Sequence, residues 1–393
     1  MFSERELYPN KFKLSRIQGL KSEILLFLLP LRKEMINFHM LNLLEEYYKS
    51  DIVIDKFHYR KVYIDEKSYQ IHGVTQSGKT KLIKNYLLSL KKNTYLYINC
   101  ADVRIDLASF NESLTSYCID NKIDTLVLDN FTPEFQYANV SQLILISQED
   151  YKYDFLESIQ LYPLDYEEFL AYEHKYDATA LNHFFQLGGF AHMHKVTPDE
   201  RNNYIQKSLR LSLASQEFEV LKYCAKVMAQ KVSPFSIYER LKLSIKVSKD
   251  KLYKSYDALV QKKYIHTLSK LKHTKATKKL YLCDISLKPA LSIGKHFGRL
   301  FENMIFLELL KHDAECYYDE GIEFYLPQND EIILPMPFAE ERALFKKIQI
   351  IEEFIFTYQI KKITIITMSR EGSINHPLSE VEMIPFDIWA LGD

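Results

Sequence analysis

One octapeptide constrains this chain more than any other segment. Gly73-Val74-Thr75-Gln76-Ser77-Gly78-Lys79-Thr80 satisfies G-x-x-x-x-G-K-[ST] at every specified position. The pattern has physical meaning only between a buried strand and the helix it opens. Both flanks are present: the apolar run YQIHGV starts at Tyr69, and an amphipathic stretch runs from Lys79 to Leu90. The glycines permit a loop whose backbone N–H groups turn inward around phosphate oxygens. The helix start adds free amides and the positive end of its dipole. Lys79 can reach β- and γ-phosphates, and the Thr80 hydroxyl can ligate Mg²⁺. Residues 73–80 are therefore expected to hold ATP with Mg²⁺; the bland alternative is a loop that matches by coincidence.

The apolar runs around this loop set the fold class. TYLYINC, TLVLDNF, QLILISQ and ESIQLYPL follow from Thr94, Thr125, Gln142 and Glu157, alternating with helical patterns. Alternation of this kind predicts βαβ units and a buried parallel sheet, an α/β fold. Residues 1–60 read as a helical segment, including a greasy stretch from Ile24 to Leu31 with a kink at Pro30. Residues 61–215 read as the phosphate-loop domain with a helical extension that breaks at Gly188-Gly189. From 216 to 288, short amphipathic helices and the strand pair YIHTLSKL and KKLYLCD suggest a winged helix. Residues 289–393 open with the helix FGRLFENMIFLELLKH, followed by strand candidates CYYDE, IEFYLP, EIILPM and KKITIITMS, a smaller α/β unit.

Composition narrows the function classes. The chain has 393 residues, 47% hydrophobic and 26% charged, with a formal charge of −1, which excludes a polycation as a whole and a disordered acidic chain. The five cysteines are widely spaced with no C-x-x-C, which fits reduced thiols in a cytoplasmic protein and gives no zinc signature. No apolar run approaches the ~20 residues of a membrane span.

A second element of the expected site is Leu126-Val127-Leu128-Asp129. A carboxylate at the end of a buried parallel strand faces the phosphate loop and can hold the Mg²⁺ shell with Thr80; an ordinary Asp capping a turn is the alternative. The expected catalytic set is Lys79, Asp129 and Asn130. Asn130 stands where a carboxylate would deprotonate or orient the attacking water. An amide can hydrogen-bond a water but cannot accept its proton. ATP–Mg²⁺ binding and efficient hydrolysis are thus separate expectations, with Glu134 a nearby carboxylate. Ser147 ends the next strand, as a γ-phosphate sensor or as an ordinary surface serine.

Net charge hides an asymmetry. Arg240 to Lys279 contains thirteen Lys and Arg against Asp250 and Asp257, an excess of +11. Such a footprint on a winged helix points to DNA bound through its phosphates. The alternatives are a solvated face or a surface that docks on the acidic stretch from Asp313 to Glu353.

The succession GVTQSGKT, LVLDN, LILIS, LYPLDYEEFL and FFQLGGF resembles prokaryotic AAA+-like P-loop ATPases that carry a winged helix and a C-terminal restriction-endonuclease-like domain. YLCDISLKPAL, FGRLFENMIFLELL and IPFDIWAL resemble later segments of the same family, so the resemblance spans about residues 60–393. It implies that Lys79, Thr80 and Asp129 bind ATP–Mg²⁺. The expected function is an ATP-binding protein that couples binding or slow hydrolysis to domain rearrangement. It also implies that Glu302 and Glu323 sit where nuclease carboxylates lie. The strand EIILPMPF lacks the lysine such a nuclease needs, and Pro335 and Pro337 would disturb a central strand. A degenerate nuclease domain is expected. The alternative function is a nucleotide-regulated DNA-binding module with negligible hydrolysis. No arginine finger is evident, although Arg201 and Arg210 are candidates.

Overall fold

The computed structural model describes residues 37–55, 59–177, 179–294 and 296–392; the stretch from Ile24 to Leu31 lies outside them. Strands β1 (Tyr69–His72), β2 (Tyr95–Asn99), β3 (Thr125–Asp129), β4 (Gln142–Ser147) and β5 (Glu157–Gln160) form one parallel sheet in the order β2-β3-β4-β1-β5. β1, β3 and β4 are buried along their whole length, as apolar runs covered on both faces must be. Alternate side chains serve opposite faces. Leu126 and Leu128 pack with Met40 and Leu44 of helix α1 (residues 37–49) and with Phe110 and Leu114 of α3 (Leu107–Asp120). Val127 packs with Leu82 and Ile83 of α2 (Lys79–Ser89) on the other face.

Two crossovers differ from the expected alternation. Residues 130–141 and 148–156 return the chain without a helix. Their aromatic content explains how: Phe131, Ala138 and Leu156, with Tyr151 and Tyr153 against them, fill the face that a helix would otherwise cover.

A helical layer follows the sheet: α4 (Tyr166–Glu173), α5 (Ala180–Leu187) and α6 (Arg201–Ser212). Gly188 ends α5 in the left-handed region at φ 68°. Next come α7 (Ser215–Lys226), β6 (Gln230–Lys231), α8 (Pro234–Leu241), α9 (Lys249–Gln261), β7 (Ile265–Leu268) and β8 (Lys279–Leu282), with β8 central in an antiparallel sheet β6-β8-β7. Helix α10 (Leu287–Leu291) leads into α11 (Phe297–Lys311), which is buried from Asn303 through Leu309. α4 to α11 share a single apolar cluster, and Val74 of the phosphate loop belongs to it.

The C-terminal unit contains β9 (Tyr317–Asp319), β10 (Ile322–Leu326), β11 (Glu331–Pro335), α12 (Glu341–Tyr358), β12 (Lys362–Thr367), β13 (Gly372–Ile374), β14 (Glu380–Pro385) and α13 (Phe386–Leu391). Its six-stranded mixed sheet runs β13-β14-β12-β11-β10-β9. Ile332 and Leu334 of β11 face α12, while Ile333 faces the large cluster with α11. β11 is central despite its proline. Pro335 occupies the last strand position, where losing an N–H disturbs the ladder least.

Candidate functional site

The strand register brings the carboxyl ends of the sheet level. His72 lies beside Ser147, and Asn99, Asp129 and Ile146 align across three strands. The phosphate loop leaves β1 here, between β4 and β5, where the strand order reverses direction; open α/β sheets bind ligands at such a point. The loop turns through left-handed backbone at Gln76 (φ 71°) and Gly78 (φ 97°) before α2 begins. Gly73 (φ 143°) has a second reason to be glycine: a Cβ there would overlap the Leu161 carbonyl oxygen.

Residues outside the motif hold the loop in place. Arg60 donates from Nη1 to the Ser77 carbonyl at 2.7 Å, from Nη2 to the Tyr162 carbonyl at 2.8 Å and from Nε to Glu168 at 2.9 Å. The two charged side chains are 8% and 5% exposed, so removing one would leave the other buried without its opposite charge, held only by neutral hydrogen bonds. Gln76 donates to Ser208 of α6 at 2.5 Å, and the Tyr264 hydroxyl donates to Thr75 Oγ1 at 3.1 Å. The variable positions of the motif are thus anchored from two other units.

Lys79 curls over the loop, donating to the carbonyls of Gly73 (2.6 Å) and Val74 (2.8 Å). Burial draws its ammonium down to about 8, against the opposing pull of Asp129. The Thr80 hydroxyl donates to Asp129 Oδ2 at 2.7 Å, joining the two groups that the spacing paired. The same oxygen accepts from the Tyr97 hydroxyl at 2.6 Å, and Oδ1 accepts from the Asn130 N–H at 2.8 Å. Burial, then the Asp129 charge, push the Tyr97 phenol far above its ordinary range, so it stays a neutral donor. Asn130 adopts φ 57° and donates its amide to Asn99 Oδ1 at 2.9 Å.

A cavity of about 630 Å³ opens beside these groups. Its lining includes Thr75, Gln76, Gly78, Lys79, Thr80, Asp129 and Asn130, together with Tyr172, His192, Tyr204 and Leu211. His192 stacks on Tyr204 with ring centroids 4.8 Å apart. Gly73, Val74 and Ser77 are not part of the lining, and the buried Ser77 hydroxyl has no hydrogen-bond partner among the described residues. Ser147 reaches the cavity but is buried and engaged, donating to the Glu149 carbonyl at 2.6 Å. Glu134 is exposed on the β3–β4 connection and is not part of the lining. Neither Arg201 nor Arg210 lines the cavity: Arg201 bonds the Val196 carbonyl, and Arg210 lies over Phe218.

Sequence reasoning missed Arg60, Tyr97, Ser208, Tyr264 and the aromatic part of the lining. None belongs to a local pattern. The only signal for Tyr97 is its strand position two residues before Asn99.

The segments beyond the loop join the units to one another. Asp165 caps α4 in a box with Glu168, and Lys61 pairs with Asp165 at 2.9 Å. Buried Asp284 accepts from the Gly189 N–H at 2.6 Å, tying the end of β8 to the glycine pair. Glu302 accepts from Lys279 (2.9 Å) and Tyr281 (2.7 Å), and Glu323 from Lys347 of α12 (2.7 Å). Lysines therefore do meet both carboxylates. They come from β8 and α12 rather than from β11, so no strand motif could announce them.

The basic stretch divides in two. Lys270 pairs with Asp319, Lys279 with Glu302, and Lys272 lies over the Tyr358 ring, so the β7–β8 hairpin is engaged with the C-terminal unit. Leu271 is buried in that unit's core. Arg240 of α8, Lys246 of the α8–α9 connection, and Lys251 and Lys254 of α9 are exposed and form no ion pair among the described residues.

No family model matches the chain. An uncharacterized protein of Methanocaldococcus jannaschii is 24% identical over 394 residues, covering 84% of this chain and 89% of that one. Among solved structures, a Walker-type ATPase of Pyrococcus abyssi superposes with a TM-score of 0.39 at 10% identity, over 66% of this chain and 95% of that one. The ORC1 protein of Aeropyrum pernix, solved with DNA, gives 0.29 at 12% identity, over 66% and 91%. Among the described residues no helix is long and apolar enough to cross a membrane, and no His/Cys/Asp/Glu group is arranged to hold a metal by itself.

Proposed function

We propose that the chain is an ATP-binding protein of the AAA+-like P-loop class, holding ATP–Mg²⁺ at Gly73–Thr80 and coupling binding or slow hydrolysis to domain rearrangement. One observation carries the reading: the Thr80 hydroxyl and the Asp129 carboxylate, 49 residues apart, meet at 2.7 Å beside Lys79 at the carboxyl edge of a parallel sheet. The donor set fits the ligand. An alcohol oxygen and a carboxylate suit a hard divalent cation, and a lysine with left-handed loop amides suits phosphates. Bound Mg²⁺ would neutralise phosphate charge. Lys79 would exchange its loop carbonyls for phosphate oxygens, and Asn130 would orient a water without taking its proton. The anchoring of Thr75 and Gln76 by Tyr264 and Ser208 supports coupling, because a loop that moves on binding would pull on both.

The order α7-β6-α8-α9-β7-β8 supports a winged helix over residues 216–288. A mixed sheet between α11 and α12, with both carboxylates tied to lysines, supports an inactive nuclease-like unit over 289–393. The test of the nucleotide reading is thermal or chemical unfolding of the full chain with ATP and Mg²⁺. At ~100 times its dissociation constant the ligand should stabilise the protein by ~2.7 kcal/mol. Lys79→Ala should remove most of that gain, and an unchanged gain would sink the assignment.

A second reading has its own observation. Arg240 of α8 and Lys251 and Lys254 of α9 are exposed and form no ion pair among the described residues, while Lys242 and Lys262 at the helix ends are paired with Glu239 and Glu217; the unpaired residues support a nucleotide-regulated DNA-binding module.

A further inference from the structure

We propose that Tyr97 is a positioning residue that orients the Asp129 carboxylate and thereby sets the Mg²⁺ requirement of the site. The inference rests on the ATP–Mg²⁺ reading and extends it to a residue outside every motif. Asp129 has both oxygens tied: Oδ1 by the Asn130 N–H at 2.8 Å, and Oδ2 by Thr80 at 2.7 Å and Tyr97 at 2.6 Å. The Tyr97 bond is the shortest of the three and runs from a hydroxyl to a charged acceptor, the stronger kind of hydrogen bond.

The hydroxyl is held in place by strand geometry. Tyr97 pairs with Val127 in the β2–β3 register, two positions before Asp129, so its ring reaches along the sheet toward the strand end. Lys84, one turn beyond Thr80 on α2, sits 5.0 Å from the centre of that ring. A cation over the ring face draws charge from the phenol and strengthens its hydroxyl as a donor. Thr80, Asp129, Tyr97 and Lys84 thus close a ring of contacts between α2, β3 and β2.

The consequence is specific to the metal. Once a cation is bound, Thr80 offers it an oxygen lone pair, and Tyr97 keeps Oδ2 from rotating away. Without the phenolic hydroxyl, Asp129 must be ordered at the moment of metal binding. Groups that orient metal-side ligands typically change metal affinity 10–100-fold when removed. The phosphate grip of Lys79 and the loop amides does not pass through Tyr97.

The test uses full-length wild type and Tyr97→Phe, which keeps the ring and its packing. A fluorescent, non-hydrolysable ATP analogue is titrated first in EDTA and then at fixed concentration with increasing Mg²⁺. The expected result is an Mg²⁺ midpoint raised ~10-fold with metal-free nucleotide affinity unchanged. Lys84→Met should shift the midpoint in the same direction by less. A Tyr97→Phe midpoint within about twofold of wild type overturns the proposal, as does an equal loss of metal-free binding, which would mark a merely structural role. The nucleotide reading fails separately, if Lys79→Ala binds the analogue as well as wild type does.

Discussion

Asn130 sits at φ 57°, directly after Asp129, in a backbone region that Asn tolerates better than most side chains. That geometry modifies what a carboxylate at this position would do. Asn130→Glu should raise steady-state phosphate release, since a positioned general base contributes ~10²–10⁴-fold, and should cost about 1 kcal/mol of stability through backbone strain. ATP affinity should hardly change, because on the proposed reading Asp129 and Thr80, not residue 130, would hold the metal. If the wild type already releases phosphate at ~1 s⁻¹ and Asn130→Glu slows it, the amide itself is the functional group and binding and hydrolysis are not separable here. Lys79, Thr80 and Asp129 were legible in the sequence because their spacing follows from one strand–loop–helix unit. Tyr97 and Arg60 were not, because what makes them matter is which side chain lies across the sheet or under the loop.

At the scale of elements, the N-terminus of α4 is a junction. Arg60 and Lys61 reach its capping residues from before β1, and the Tyr166 N–H donates to Glu308 of α11 at 3.2 Å. Burial raises the Glu308 carboxyl from 4.5 to about 7, with Lys311 opposing the shift. The folded form therefore keeps a proton that the unfolded chain has released. Stability from this group is present below pH 4.5 and is lost as pH rises toward 7. Glu308→Gln keeps an acceptor for Tyr166 and has no proton to lose. Its stability relative to wild type should rise between pH 5 and pH 8, by up to about 3 kcal/mol. Urea unfolding of both proteins at the two pH values measures this; a difference independent of pH would show that Glu308 is charged in the folded chain. The segment LYPLDYEEFL was visible as a pattern, but its partners are more than a hundred residues away in either direction.

On the scale of the molecule, the basic stretch is the clearest case of tertiary structure dividing what the sequence joins. Lys270, Lys272 and Lys279 serve the contact between the hairpin and the C-terminal unit, whereas Lys251 and Lys254 face outward on α9. If α9 meets DNA phosphates, Lys251→Glu with Lys254→Glu should weaken binding and lower the salt dependence by ~1 per lost contact. Lys272→Glu should leave that slope alone. Fluorescence anisotropy with duplex DNA across a salt series decides it; equal slopes for all three proteins would show that α9 does not contact the phosphate backbone.

What the sequence by itself determined is local. Strand β1, the phosphate loop and helix α2 follow from a short run of residues, because strand burial, loop glycines and helix start are set by neighbours in the chain. The fully buried strands β1, β3 and β4 follow from apolar runs for the same reason, whereas β5 lies at the sheet edge and is half-exposed. Helix-free crossovers were not legible, since aromatic side chains can cover a sheet from an irregular segment as well as from a helix. Only the tertiary structure decided that Tyr97 holds Asp129, that Arg60 pins the loop, and that Lys347 and Lys279 meet the two C-terminal carboxylates. Each is a contact between side chains brought together by strand register or by the packing of separate units, and a contact of that kind leaves no periodicity in the chain to read.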